Sequence, residues 1–422
     1  MNNSLVITIV GGIVFFLLII VSVCLHEIGH FLPGKLFKVK VLQYFVGFGP
    51  TLWKTRKGET EYGLKAIPLG GYVRMLGMYP PVREGKNTWV KRVADNARAF
   101  EWEQITPQDI DDHRLYFQKP LWQRLVIMFS GVGMNLILAF GLFLGVNLAY
   151  GQWEPNNQIA KVWDCVDPAA SLCVPTPAAN MGLKVKDRVI AVNGVEYPDW
   201  DGVITAVQIN SSHPIQLDVI RDDARIALPQ VAGFSISRAD PNHPDQTIEV
   251  GFLGVNNDYE RVKIGPIGTI SQMWDMTTQS VEAIAKLPVT AIKVLIDMIT
   301  GQPRDPNGPI SIFGAATIAG DVAASDNPLS SRIAIYVSLL ASINLFVALL
   351  NLVPLLPFDG GHAAAGIFEV IRRQIAKIRH KPDPGPADTA KLLPVTYVMT
   401  ILLIIMGLIL IVADIVSPVS LV

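Results

Sequence analysis

The sequence predicts a polytopic α-helical membrane protein with four transmembrane helices, a membrane-associated β-hairpin loop and an extracytoplasmic α+β domain. Three observations carry that expectation. Charged residues make up 17% of the 422 residues and hydrophobic residues 50%, against about 25% charge in an ordinary soluble domain. Four apolar runs each reach the roughly 20 residues needed to cross a hydrocarbon core. Between the second and third runs lies a long polar stretch with strand and turn signals. A net charge of −1 provides no global basic field, so the lipid bilayer is an expected partner and direct nucleic-acid binding is not.

The first run, Leu5 to Leu25, has no basic residue before it and is too long for the apolar part of a signal peptide, so it reads as a retained span. Residues 1–32 form the first span, ending in His26-Glu27-Ile28-Gly29-His30. Residues 33–120 begin with β-branched stretches at Val39 to Val46, Thr60 to Ile67 and Tyr72 to Leu76, with turns marked by Gly47, Gly49, Gly58, Gly63, Gly70 and Gly71. Such a loop can lie at membrane depth only where protein or a cavity covers its backbone. Residues 78–120 add charge and the aromatics Trp89, Phe100, Trp102, Tyr116 and Phe117, a pattern that suits helices on the inner membrane surface or an ordinary linker.

Residues 121–150 hold the second span, residues 151–265 the extracytoplasmic domain, and residues 266–330 an interfacial helix and linker. Within that linker, Leu287 to Ile299 carries Lys293 and Asp297 and is too short and too charged to cross. The third span, residues 331–363, contains the run Ile333 to Phe358, whose end Pro354 and Pro357 must disturb. Residues 364–391 read as a cytoplasmic loop, residues 392–416 as the fourth span and residues 417–422 as a tail.

Lys and Arg set the orientation in the cell membrane. Lys35, Lys38 and Lys40 follow the first span, Arg114, Lys119 and Arg124 lead into the second, and Arg372, Arg373, Lys377, Arg379 and Lys381 follow the third. The positive-inside rule puts residues 33–120 and 366–391 in the cytoplasm, and both termini with residues 151–330 outside. Cys165 and Cys173 then face a compartment where a disulfide can persist; two free thiols are the alternative.

His26 and His30 are four residues apart, so they project from one helix face and can share one metal. Glu27 lies about 100° round the helix, placed to take a proton from metal-acidified water without being a ligand. Three ionisable groups at the end of an apolar helix are expensive in lipid unless they serve a function. A catalytic zinc ion, Zn2+, wants a third protein ligand and one open position. Asp359, at the end of the third span in Asn351-Leu352-Val353-Pro354-Leu355-Leu356-Pro357-Phe358-Asp359-Gly360-Gly361-His362, is the favoured third ligand, with Gly360 and Gly361 permitting a sharp turn. His362 is its rival.

At these motifs the sequence resembles the site-2 protease family of intramembrane zinc metalloproteases. The family pattern of His-Glu-x-x-His, Asn-x-x-Pro and Asp-Gly is met by His26, Glu27, His30, Asn351, Pro354, Asp359 and Gly360. Four spans, one extracytoplasmic insert and a Gly308-Pro309-Ile310-Ser311 segment extend the likeness over nearly the whole chain, and the single insert with its cysteine pair looks most like the actinobacterial branch. The resemblance implies cleavage of single-span membrane proteins, typically anti-sigma factors already shortened by another protease, in regulated intramembrane proteolysis. It implies that Asn351, Pro354 and the strand Gly70, Gly71, Tyr72, Val73, Arg74 and Met75 bind substrate. Asn135 is a further substrate residue by the same likeness, although the proline common in this second-span motif is missing from Ser130-Gly131-Val132-Gly133-Met134-Asn135.

Pro177 to Gly194 is similar to a PDZ domain, with Asn193-Gly194 as a hairpin turn and Lys186 where a glycine is common. A PDZ-like insert implies either a peptide-binding sensor or a size filter that admits trimmed substrates, the filter being preferred because it needs no peptide specificity. A catalytically inactive membrane scaffold or sensor bearing a PDZ-like domain is the alternative function, and ligand completeness distinguishes the two. A transporter would predict internal repeats, which the sequence does not display.

Overall fold

An apolar segment with no breaker in its middle has every reason to be helical in lipid, where each backbone group must find its partner inside the segment. In the computed structural model, helix α1 covers Asn3–Leu36, continuing well past the apolar run and carrying His26 to His30 within it. The structure describes residues 3–81, 88–166, 173–211, 213–239, 247–305 and 308–419, so the last part of the expected tail, 420–422, lies outside the described residues. The chain divides into two units, residues 1–149 with 265–422, and residues 150–264.

In the first unit α1 leads into strands β1 (Val41–Lys57) and β2 (Thr60–Met75). Their register is folded over, because Gln43 to Val46 lies against both Gly71 to Arg74 and Glu61 to Leu64. Gly47 and Gly70, at φ 86° and 115°, supply the bends. Val39, Val41 and Met75 anchor this sheet in a buried cluster with Ile127, Met128 and Ala363. Two short helices follow, α2 (Trp89–Trp102) and α3 (Pro107–Asp111), the latter opened by a reciprocal Thr106–Asp109 cap.

Helix α4 spans Leu121–Ala149. After the second unit come α7 (Pro266–Thr300), α8 (Ile312–Ala324), α9 (Leu329–Asn351), α10 (Asp359–Ile378) and α11 (Leu393–Val416). Among the described residues, four helical segments are long and apolar enough to cross a membrane: Ser4–Leu36, Leu121–Ala149, Leu329–Asn351 and Thr389–Val416. Helix α8 lies close against α1, where a Cβ at Gly11 would come within 2.7 Å of Ala323 and one at Gly12 within 2.9 Å of the Ala316 carbonyl oxygen. Small residues permit such close approach in lipid. The Gly308 to Ser311 segment serves the start of α8. The Ser311 hydroxyl accepts from the Phe313 and Gly314 amides, and the Ser311 amide donates to Asp414 of α11, which also pairs with Arg304 at 2.5 Å.

Three boundaries differ from the sequence expectation. Helix α9 stops at Asn351, short of the span's expected end, where prolines 354 and 357, expected to disturb it, cannot donate to the helical ladder. Gly360 and Gly361 lie in the first turn of α10 instead of forming a sharp turn, so much of the expected loop 364–391 is helical. Their missing side chains serve packing: a Cβ at Gly360 would come within 2.4 Å of the Leu352 carbonyl oxygen. The short amphipathic stretch Leu287 to Ile299 is the end of the much longer α7, since Asp275, Glu282 and Lys286 interrupt the apolar pattern without breaking the helix.

The second unit builds a sheet in the order β10-β3-β4-β6-β7, with β5 paired to β4. Its strands are β3 (Gln152–Val162), β4 (Arg188–Val192), β5 (Val195–Glu196), β6 (Leu217–Arg221), β7 (Ala224–Ala227) and β10 (Val255–Val262). A separate hairpin pairs β8 (Ser235–Ala239) with β9 (Thr247–Gly251), and helices α5 (Pro177–Asn180) and α6 (Trp200–Ile209) complete the unit. Asn193 and Gly194, both at positive φ, turn β4 into β5. Lys186 sits at φ 74°, which accounts physically for a preference for glycine at such a position. Ile159, Val189, Leu217 and Val219 are fully buried in the core of this unit. Cys165 and Cys173 form a disulfide.

Candidate metal centre

His26 and His30 lie one turn apart on α1, their rings edge to face with centroids 4.8 Å apart. Their Nε2 atoms are 3.1 Å from each other. Asp359, the first residue of α10, brings Oδ2 to 3.4 Å from His26 Nε2 and 3.2 Å from His30 Nε2. That oxygen is buried and, among the described residues, has no hydrogen-bond partner outside this triangle. Zinc bonds of about 2.0–2.1 Å in a tetrahedron put neighbouring ligand atoms about 3.3–3.4 Å apart. Two nitrogens and one carboxylate oxygen at 3.1 to 3.4 Å therefore fit that ion in spacing and in donor chemistry. His362, three residues further along α10, is not part of the cluster; it lines a small cavity with Tyr116, Arg124 and Glu369.

The supporting contacts are equally specific. His30 Nδ1 donates to the Ile127 carbonyl oxygen of α4 at 2.8 Å, which leaves Nε2 bare and aimed at the cluster. The two helices cross closely at this point. A Cβ at Gly29 would come within 2.6 Å of the Ser130 carbonyl oxygen, and one at Gly131 would lie 2.2 Å from His30 Nε2. Gly29, Ile127 and Gly131 escape sequence reading as site residues, because a close helix crossing is a tertiary fact; the unassigned glycine inside the His26–His30 motif was the available signal.

Glu27 is buried beside the cluster. Strand β2 runs past it: a Cβ at Gly71 would come within 2.9 Å of Glu27 Cγ, and the Val73 backbone interacts with the Glu27 carboxylate. Gly70 to Met75 thus begins at the site and ends in the buried cluster behind it, with Tyr72 stacked on Phe45 at 5.7 Å and Arg74 over the Phe100 ring at 4.9 Å. Asn135 is buried one turn beyond Gly131 on α4, its Oδ1 without a partner among the described residues. Asn351 closes α9, and Pro354 lies exposed in the turn between α9 and α10.

Residues 14–382 match the family model described as peptidase family M50. The zinc metalloprotease Rip1 of Mycobacterium tuberculosis (strain ATCC 25618 / H37Rv) is 35% identical over 432 residues, covering 97% of this chain and 98% of that protein. The zinc metalloprotease Rip1 of Mycolicibacterium smegmatis is 33% identical over 435 residues, with 97% and 98% covered.

Proposed function

The chain belongs to peptidase family M50, and we propose that it works as a zinc-dependent intramembrane endopeptidase on single-span membrane proteins. His26, His30 and Asp359 hold the zinc. The observation that carries this reading is their three donor atoms at 3.1 to 3.4 Å, with the Glu27 carboxylate and the edge of β2 beside them.

When bound, zinc supplies Lewis acidity that acidifies water towards neutral pH and polarises the scissile carbonyl. Glu27 takes the proton from the attacking water and returns it to the departing amine. Strand Gly70 to Met75 pairs with the substrate backbone, drawing it out of its helix so that an amide reaches the site. Asn135, whose buried amide oxygen lacks a partner among the described residues, and Asn351 with Pro354 complete the substrate contacts.

The bias of Lys and Arg supports a site near the cytoplasmic side of the cell membrane, with both termini and the second unit outside. Anti-sigma factors, cut first by another protease, are the substrate class. In the second unit a cavity of about 360 Å³ lies beside α6 and β10, lined by Trp200, Val203, Val207, Leu253 and Val255. An outermost strand, β10, next to a groove of mixed lining that also includes Gln208, Asn256 and Asn257 supports capture of an extended peptide, in the manner of a PDZ domain, over a size filter. The complete ligand set speaks against an inactive scaffold.

Co-expression of candidate single-span proteins with the wild type and with Glu27→Gln tests the proposal. The cut fragment is expected with the wild type and absent with the variant. Equal cleavage by both would remove those substrates from this enzyme.

A further inference from the structure

The two halves of the metal centre come from opposite ends of the chain, and one short piece of α4 touches both. Ile127 holds His30 through its carbonyl oxygen at 2.8 Å. Arg124, three residues earlier on the same helix, grips Glu369 of α10 with two parallel hydrogen bonds of 2.9 and 3.0 Å. Both side chains are buried, at 8% and 2% exposure. Glu369 also accepts from the Ala387 amide at 2.9 Å. One turn nearer the start of α10, a Cβ at Gly366 would come within 3.1 Å of Leu121, so the two helices are closely apposed here.

A buried ion pair of this kind is a poor route to stability, since desolvating two charges costs about as much as their attraction returns. Its distinctive property is geometry: a guanidinium fork on a carboxylate fixes both distance and rotation. Rotation is what the metal centre needs from α10. Asp359 opens that helix, and the residues joining it to α9 form irregular turns that do not continue either helix. Those residues pack on Gly360 and Gly361, and the rotation of α10 that aims Asp359 is fixed by side chains further along the helix.

We propose that Arg124 and Glu369 are positioning residues for the third zinc ligand, holding α10 in register with the stretch of α4 that orients His30. This rests on the reading of His26, His30 and Asp359 as the zinc set. Neither residue touches zinc or substrate. The pair acts by keeping Asp359 Oδ2 over the two imidazole nitrogens.

The test is zinc affinity, measured on the purified full-length protein in detergent micelles by competition with a chromogenic chelator. The variants are Glu369→Gln, Arg124→Lys, Asp359→Ala and His26→Ala, singly, and Glu369→Gln combined with Asp359→Ala. Glu369→Gln is expected to weaken zinc binding about 10- to 100-fold, the range seen when a ligand loses its orienting partner. Arg124→Lys keeps the charge but loses the fork, and should show a smaller loss in the same direction. In the Asp359→Ala background, Glu369→Gln should have no further effect, because the ligand it positions is already gone. Wild-type affinity in both Glu369→Gln and Arg124→Lys would overturn the proposal. So would an equal loss from Glu369→Gln with and without Asp359, which is the mark of a general structural role. Failure of the zinc reading itself looks different: His26→Ala would then bind zinc as the wild type does.

Discussion

Gly131 shows how much of this site depends on a side chain that is absent. Its missing Cβ leaves room for the His30 ring, because a methyl group there would sit 2.2 Å from Nε2. Gly131→Ala should weaken zinc binding at least roughly tenfold, as a displaced ligand does, while the protein still inserts in the membrane; zinc content after dialysis against a chelator checks it. Glu27→Gln should behave in the opposite sense. Zinc stays bound, because Glu27 is not in the ligand triangle, and cleavage falls by about 10²- to 10⁴-fold, the scale of lost general-base catalysis. His26, Glu27 and His30 are legible in the sequence because one helical turn brings them together. Asp359 is legible by chemical need, an incomplete zinc site calling for one more ligand near a span end. Gly131 and Ile127 are not, since their parts arise only where two helices cross.

At the scale of the element, β2 combines two constraints. It must bend at Gly70 and then present a straight edge beside Glu27. Val73→Pro removes the backbone donor that faces Glu27 and the substrate edge, and should leave zinc binding intact while cutting substrate cleavage roughly 10- to 100-fold, about the worth of one or two backbone hydrogen bonds; parallel zinc and cleavage assays separate the two effects. Two acidic groups tie the elements around the site together. Burial alone would raise the Glu369 carboxyl, but the Arg124 and Ala387 hydrogen bonds outweigh it and hold it below the usual range. Asp109 is likewise raised by burial and lowered further by Lys40 and the Thr106 cap. A folded-state pKa below the unfolded value contributes stability above about pH 4, lost as the pH falls through the folded value. The melting temperature of the metal-free protein in micelles should accordingly fall below about pH 4. Helix existence was plain from the apolar runs, whereas helix ends were not. Helix α7 outlasts its apolar pattern because charged residues such as Glu282 and Lys286 are good helix formers that pair with each other at 2.6 Å.

For the whole molecule, the second unit has its own core around Ile159, Val189 and Leu217 and should fold when residues 150–264 are expressed alone. Replacing both Cys165 and Cys173 by Ser should cost that fragment about 2–3 kcal/mol, the loop-closure entropy of so short a ring, read as a lower denaturant midpoint. The strand-rich character of this unit is legible from its turn residues. Its cavity is not, because Trp200 and Leu253, both lining it, are more than 50 residues apart and come together only on folding. One feature of the metal centre reaches into biosynthesis. Asp359 leaves the ribosome about 330 residues after His30, a delay of roughly 15–65 s at ordinary elongation rates. On the proposed ligand set, the nascent chain carries Glu27 and two histidines but no third ligand throughout that interval, so the protease is expected to be inert while it is itself being threaded into the membrane.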